Sequence, residues 1–68
     1  MENNYHLRIK EFRLQKNLTS EYVAIQMEIS VKKYENIEIG IVDLKLSKLD
    51  RLVKILGIKK SEIFSLPN

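Results

Sequence analysis

His6 is the single imidazole in this sequence and no cysteine accompanies it, so neither a nucleophile and base pair nor the His and Cys ligand set of a zinc site can be assembled. The acidic residues are spread along the chain over positions that read as exposed helix surface, not gathered as a catalytic carboxylate pair. Gly40 and Gly57 fall where helices stop, which leaves no glycine-rich loop to cradle a phosphate. The expectation is therefore a chain that is not an enzyme, with no metal, no cofactor and no small-molecule ligand. What remains is non-covalent chemistry. Twelve basic against nine acidic residues give a formal charge of +3, which suits a polyanion partner without requiring one. Arg8, Lys10, Arg13 and Lys16 crowd one early segment, and Lys32 and Lys33 open another. Glu35 and Glu38 partly cancel that second group, so attraction to a nucleic acid should be modest. Tyr34 reads as core, with Tyr5 and Tyr22 partly at the surface. No stripe of aromatic and basic residues for stacking single strands results.

These side chains need elements to hold them. With 68 residues and 44% hydrophobic content, the chain is one domain whose core must come from several small helices. No apolar run approaches the ~18 residues of a membrane span, and the opening Met-Glu-Asn-Asn-Tyr-His lacks the basic and apolar parts of a secretory signal. A cytoplasmic protein is expected. From Thr19 to Glu38 the pattern is of two short helices joined by a tight turn. Val23, Ala24 and Met27 share one side of the first; Ile29, Tyr34 and Ile37 follow on the turn and the second. Helices that cross steeply need a residue with almost no side chain where they approach, and Ala24 stands there. Such a helix-turn-helix leaves its second helix free to enter a DNA groove.

Local signals place the remaining elements. Ile9 and Phe12 lie three apart in an amphipathic first helix that Asn17 can stop in a left-handed conformation. Thr19 and Ser30 are N-cap candidates for the next two helices. Leu46, Leu49, Leu52, Val53 and Leu56 recur at three and four, the clearest amphipathic pattern in the chain, and Gly57 ends it. Ile58, Ile63, Phe64 and Leu66 supply a last apolar cluster before Pro67. The spans are about 5–16, 20–27, 31–39, 46–56 and 60–65 in one domain over 1–68. A competing local pattern is the alternation of Ile37, Ile39 and Ile41, which is a strand signature.

Taken together, Ile9-Lys10-Glu11-Phe12-Arg13, Asn17-Leu18-Thr19, Val23-Ala24, Ile29-Ser30, Ile37-Glu38 with Gly40, and Leu46, Leu49, Leu52 leading into Leu56-Gly57-Ile58 resemble the Xre family of regulators related to Cro and the lambda repressor. The likeness runs from about Leu7 to Phe64. It implies an all-α, compact five-helix lambda-repressor-like bundle containing a helix-turn-helix. It also implies an ion pair between Arg13 and Glu38 that ties the reading helix to the rest of the domain. By the same likeness Val31, Lys32 and Asn36 read base edges: Lys32 on guanine, Asn36 on adenine, Val31 on a thymine methyl. Ser20 and Lys33 hold phosphates. Glu28 occupies a turn position where the family usually has glycine, so it must adopt a left-handed backbone.

The segment after the reading helix departs from the family pattern. Where polar and basic residues are usual, this chain has Ile39, Ile41, Val42 and Leu44 around one glycine and one acid. Either the segment folds inward and enlarges the core, or it forms an exposed patch that meets another protein, most simply a second copy. Ile63, Phe64 and Leu66 are the rival dimer surface. The resulting expectation is a sequence-specific regulator of transcription that binds double-stranded DNA as a homodimer, with 31–38 in the major groove. The alternative is a protein-interaction module on the same fold, an antitoxin or adaptor, that works through the apolar 37–44 segment.

Overall fold

The protein is described by a computed structural model that covers residues 5–64. Five helices account for most of it: α1 (Tyr5–Gln15), α2 (Ser20–Met27), α3 (Val31–Glu38), α4 (Leu46–Leu56) and α5 (Lys60–Phe64). These match the expected spans, except that α1 and α3 each stop one residue early. The expected end of the fifth helix at Ser65 and the stop at Pro67 lie outside the described residues. No strand occurs among those residues. The alternation of Ile37, Ile39 and Ile41 does not pair as one because the amides that would form a ladder turn back. Ile41 N and Val42 N both donate to the Asn36 carbonyl, at 2.9 and 3.2 Å.

The core draws on every helix. Ile9 enters from α1, Val23, Ala24 and Met27 from α2, Tyr34 and Ile37 from α3, Leu49, Leu52, Val53 and Leu56 from α4, and Ile63 from α5. α2 packs on α3 and α4, while α1 packs on α3 and α5. Ala24 is fully buried. Leu46 departs from the expected apolar stripe of α4: it is the first residue of the helix and is 73% exposed.

Polar caps and left-handed residues set the helix ends. Thr19 Oγ1 accepts from Tyr22 N at 3.0 Å and Ser30 Oγ from Lys33 N at 3.1 Å, each satisfying an amide that its first turn leaves over. Four helices end alike. Asn17, Glu28, Gly40 and Gly57 have φ of 59°, 62°, 87° and 70°. In each case the amide of the following apolar residue reaches back five positions: Leu18 to Arg13, Ile29 to Ala24, Ile41 to Asn36 and Ile58 to Val53, at 2.9 to 3.1 Å. This closure places an apolar side chain just past the helix end, where it can fold back on the last turn. Leu18, Ile29 and Ile58 do pack against the core, whereas Ile41 does not.

The start of α1 lies against the segment that follows α3. Tyr5 Oη accepts from Leu44 N at 3.1 Å, and His6 is half-buried beside Gly40. No helix is long and apolar enough to cross a membrane among the described residues.

Left-handed strain gives a paired test by urea unfolding. Glu28→Gly should raise stability by about 0.5–1 kcal/mol, since a side chain there opposes the required backbone and its ion pair to Arg51, at 3.6 Å, is exposed. Gly57→Ala should lose about 1–2 kcal/mol from the same strain. Gly40→Ala should lose more, because a Cβ there would stand 3.1 Å from His6 Nε2, against 4.0 Å to Lys16 Nζ at Gly57.

Candidate nucleic-acid interface

α3 has two faces, and each is set by helical spacing. Tyr34, Ile37 and Glu38 are buried. Lys32 and Asn36, about one turn apart, lie together on the opposite side. Lys32 is exposed and Asn36 half-buried, so both reach the surface. Val31 sits at one margin of that face, half-buried against the core. Its remaining surface is enough for an apolar contact but not for a projecting probe. Lys33 is exposed at the other margin. Glu35 is exposed as well, so one acid accompanies the cations on the outward side.

Ser20, the other residue expected to hold phosphate, opens α2 and is half-buried. The α2 amides there begin just after the Thr19 cap, which takes only the Tyr22 N–H. The basic residues of α1, with Lys16 just beyond it, divide into two kinds. Arg8 donates from Nη2 to the Glu62 carbonyl at 2.8 Å and lies over the Phe12 ring, so it holds α5 in place. Arg13 is buried. Lys10 and Lys16 alone are exposed. The four cations do not form a common binding surface, because two of them are committed to the interior.

The inner face of α3 is locked by a buried polar node. Arg13 and Glu38 are only 8% and 6% exposed. Arg13 Nε donates to Glu38 Oε2 at 2.6 Å and Nη2 to Oε1 at 3.2 Å, while Nη1 donates to the Leu18 carbonyl at 2.9 Å. The Tyr34 hydroxyl, one turn before Glu38 on the same helix, donates to Glu38 Oε2 as well. One guanidinium thus joins α1, the turn that leads into α2, and α3. The hydrogen bonds to Glu38 hold Arg13 above its ordinary value, against the opposing effect of burial. Burial pushes the Tyr34 phenol far up from its ordinary 10.0, and its hydrogen bond to Glu38 adds to the shift. Sequence patterning placed Tyr34 in the core but missed its polar role; the i, i+4 spacing of Tyr34 and Glu38 is the signal that could have shown it.

The 39–45 connector divides residue by residue between inward and outward placement. Val42 and Leu44 fold inward against the core, while Ile39 and Ile41 remain 60% and 71% exposed. Val42 therefore contributes little to any partner surface that Ile39 and Ile41 form. The rival surface at the C-terminal end loses a member: Ile63 is buried under α1 and α4 and cannot meet a second copy without unpacking the core. The Phe64 side chain and Leu66 lie outside the described residues.

The node predicts a large stability loss for Arg13→Ala, about 3–5 kcal/mol by chemical denaturation, since it would strand a buried carboxylate. An exposed pair would cost ~0–1. Tyr34→Phe should cost about 1.5–3 kcal/mol at neutral pH, the range for a hydrogen bond to a charged group. A phenol pushed up on folding binds its proton more tightly in the native state. Its contribution is whole below the unfolded-state value and is lost as pH rises through the folded one. The alkaline limb of stability against pH should accordingly be steeper in the parent than in Tyr34→Phe.

Comparisons of the chain with protein-family models, with curated proteins and with solved structures find no match.

Proposed function

We propose that this chain is a cytoplasmic, sequence-specific regulator of transcription that binds double-stranded DNA, with α3 in the major groove and two copies on two half-sites. The observation that carries this reading is the division of α3. Arg13, Glu38 and Tyr34 fix its inner face, and Lys32 and Asn36 share the outer one. A helix seated rigidly on one side and offering a cation and an amide one turn apart on the other has the geometry for bidentate recognition of guanine and adenine. The α2 and α3 pair, joined by the three residues Glu28, Ile29 and Ser30 over a buried Ala24, suits a helix-turn-helix. The resemblance of the sequence to Xre regulators agrees with this.

The role assignments separate by alanine substitution. Lys32→Ala and Asn36→Ala should each cost about 1–3 kcal/mol on a selected duplex and relax preference at one base pair, whereas Lys33→Ala should weaken all sequences alike and reduce the salt slope by about one. Selection from a random duplex pool should return a two-fold symmetric motif with half-sites about one helical turn apart. Equal and sequence-independent losses at all three positions would overturn the assignment.

The exposure of Ile39, Ile41 and Leu46 favours a second reading, a protein-interaction module such as an antitoxin or adaptor that meets a partner through these residues. Replacing Ile39 and Ile41 together with lysine distinguishes the two. Under the DNA reading affinity for duplex is kept or raised; under the second, association with the protein partner is lost, as read by co-purification.

A further inference from the structure

A groove runs beside α3. Its floor is apolar, made by Met27 and Ile37 from the core with Ile29, Val42 and Leu44 along the sides. Its rim carries three lysines, Lys33, Lys45 and Lys48, against the single acid Asp43. The ion pairs among the described residues are Arg13 with Glu38, Arg51 with Glu28 and Lys60 with Asp50, so none of the three rim lysines is neutralised by a carboxylate within 4.0 Å. Lys48 is half-buried without such a partner. The cavity is small, about 150 Å³, below the usual ~300–1,000 Å³ of sites for drug-sized ligands.

We propose that this groove binds a small amphipathic carboxylate, a short-chain fatty acid or an aryl acid of similar bulk. The apolar body would lie on Ile29, Ile37, Val42 and Leu44, and the carboxylate would meet Lys45 and Lys48. Complementarity selects this class. An apolar neutral molecule would leave the cations unmet, and inorganic phosphate would leave the floor wet. The volume holds one small body and leaves the rest of a long acyl chain in solvent. Lys33 lines the same groove and flanks the outward face of α3. An occupant would draw it toward the rim and away from a DNA phosphate. This second step rests on the DNA-binding reading above; the binding step does not.

The test uses the full chain with hexanoate and benzoate as probes, followed by amide and methyl chemical shifts in a heteronuclear NMR titration. Saturable shifts should concentrate at Ile29, Ile37 and residues 42–48 with millimolar affinity. The Lys45→Gln, Lys48→Gln double variant, altered only at the rim, should bind about tenfold more weakly, a difference of ~1.4 kcal/mol. Hexanol and benzyl alcohol should bind worse than the matching acids. Absence of saturable shifts at about 10 mM acid, equal binding by acid and alcohol, or unchanged affinity in the double variant would each overturn the site. A response to acidic apolar peptides but not to the free acids would also overturn it, and would assign the groove to a protein partner. The coupling is read separately. On a selected duplex, saturating acid should weaken binding several-fold in the parent and leave the Lys33→Ala variant unmoved. Binding of the acid without that effect would remove the coupling and leave the site.

Discussion

The Arg13 guanidinium carries a full charge into a place that water barely reaches, and it remains there because nearly every direction around it is answered. Taking two ions out of water costs several kcal/mol each, and their attraction compensates only where geometry is good and the remaining donors and lone pairs are matched. Here Nε and Nη2 meet the two Glu38 oxygens, Nη1 meets the Leu18 carbonyl, and the Tyr34 hydroxyl adds a third donor to Glu38. A pair of this kind need not add much net stability over an apolar substitute of equal volume. Its effect is on register. The bidentate fork accepts one orientation of Glu38, so α3 cannot rotate about its axis or slide against α1 without breaking charged hydrogen bonds. An apolar contact would tolerate a small rotation. The outward direction of Lys32 and Asn36 is therefore decided on the far side of the helix from them.

This constraint matters more in so small a domain. Among the described residues the core holds eleven buried apolar side chains, one or a few from each helix, which leaves little redundancy. α1 contributes Ile9 as its only buried apolar residue, with Phe12 and Tyr5 half-buried, and exposes Leu7 and Leu14. What attaches α1 is in large part polar: Arg13 to α3, Arg8 to α5, and the Tyr5 hydroxyl to the 39–45 connector. The helix that holds the node is itself held by hydrogen bonds to three separate parts of the chain.

How far the sequence could be read follows from whether the deciding interactions are local. Helix ends were legible because each depends on residues within five positions. Thr19 and Ser30 cap through side-chain oxygens, Asn17 and the two glycines turn left-handed, and Glu28 takes the same conformation with a less suitable side chain. The core of α4 was legible because its leucines recur at helical spacing over a long run. The connector was not. Ile39, Ile41, Val42 and Leu44 are alike in type, and their fates diverge according to which neighbours α1 and α4 bring across, information that no local window contains. Leu46 fails for the same reason, since periodicity assigns it a face but not a neighbour. In the candidate site, the positions of Lys32 and Asn36 on α3 followed from spacing. The groove did not, because its lysines come from α3, the connector and the first turn of α4 and meet only after folding.

Lys33 lies on both proposed surfaces, at the margin of the outward side of α3 and on the wall of the groove. The flank of α3 is also a wall of the groove, so the groups that the two proposals would couple are a single side chain and its environment. The Arg13, Glu38 and Tyr34 node makes a rigid shift of α3 costly, which disfavours any mechanism that swings the helix. A groove ligand of the proposed kind would need no such motion: it would compete for one ammonium group, and under the DNA-binding proposal its effect on affinity would be bounded by the contribution of that contact. Coupling of that kind would be graded and small, of the order of a single phosphate contact, where coupling through a two-state helix would be steep.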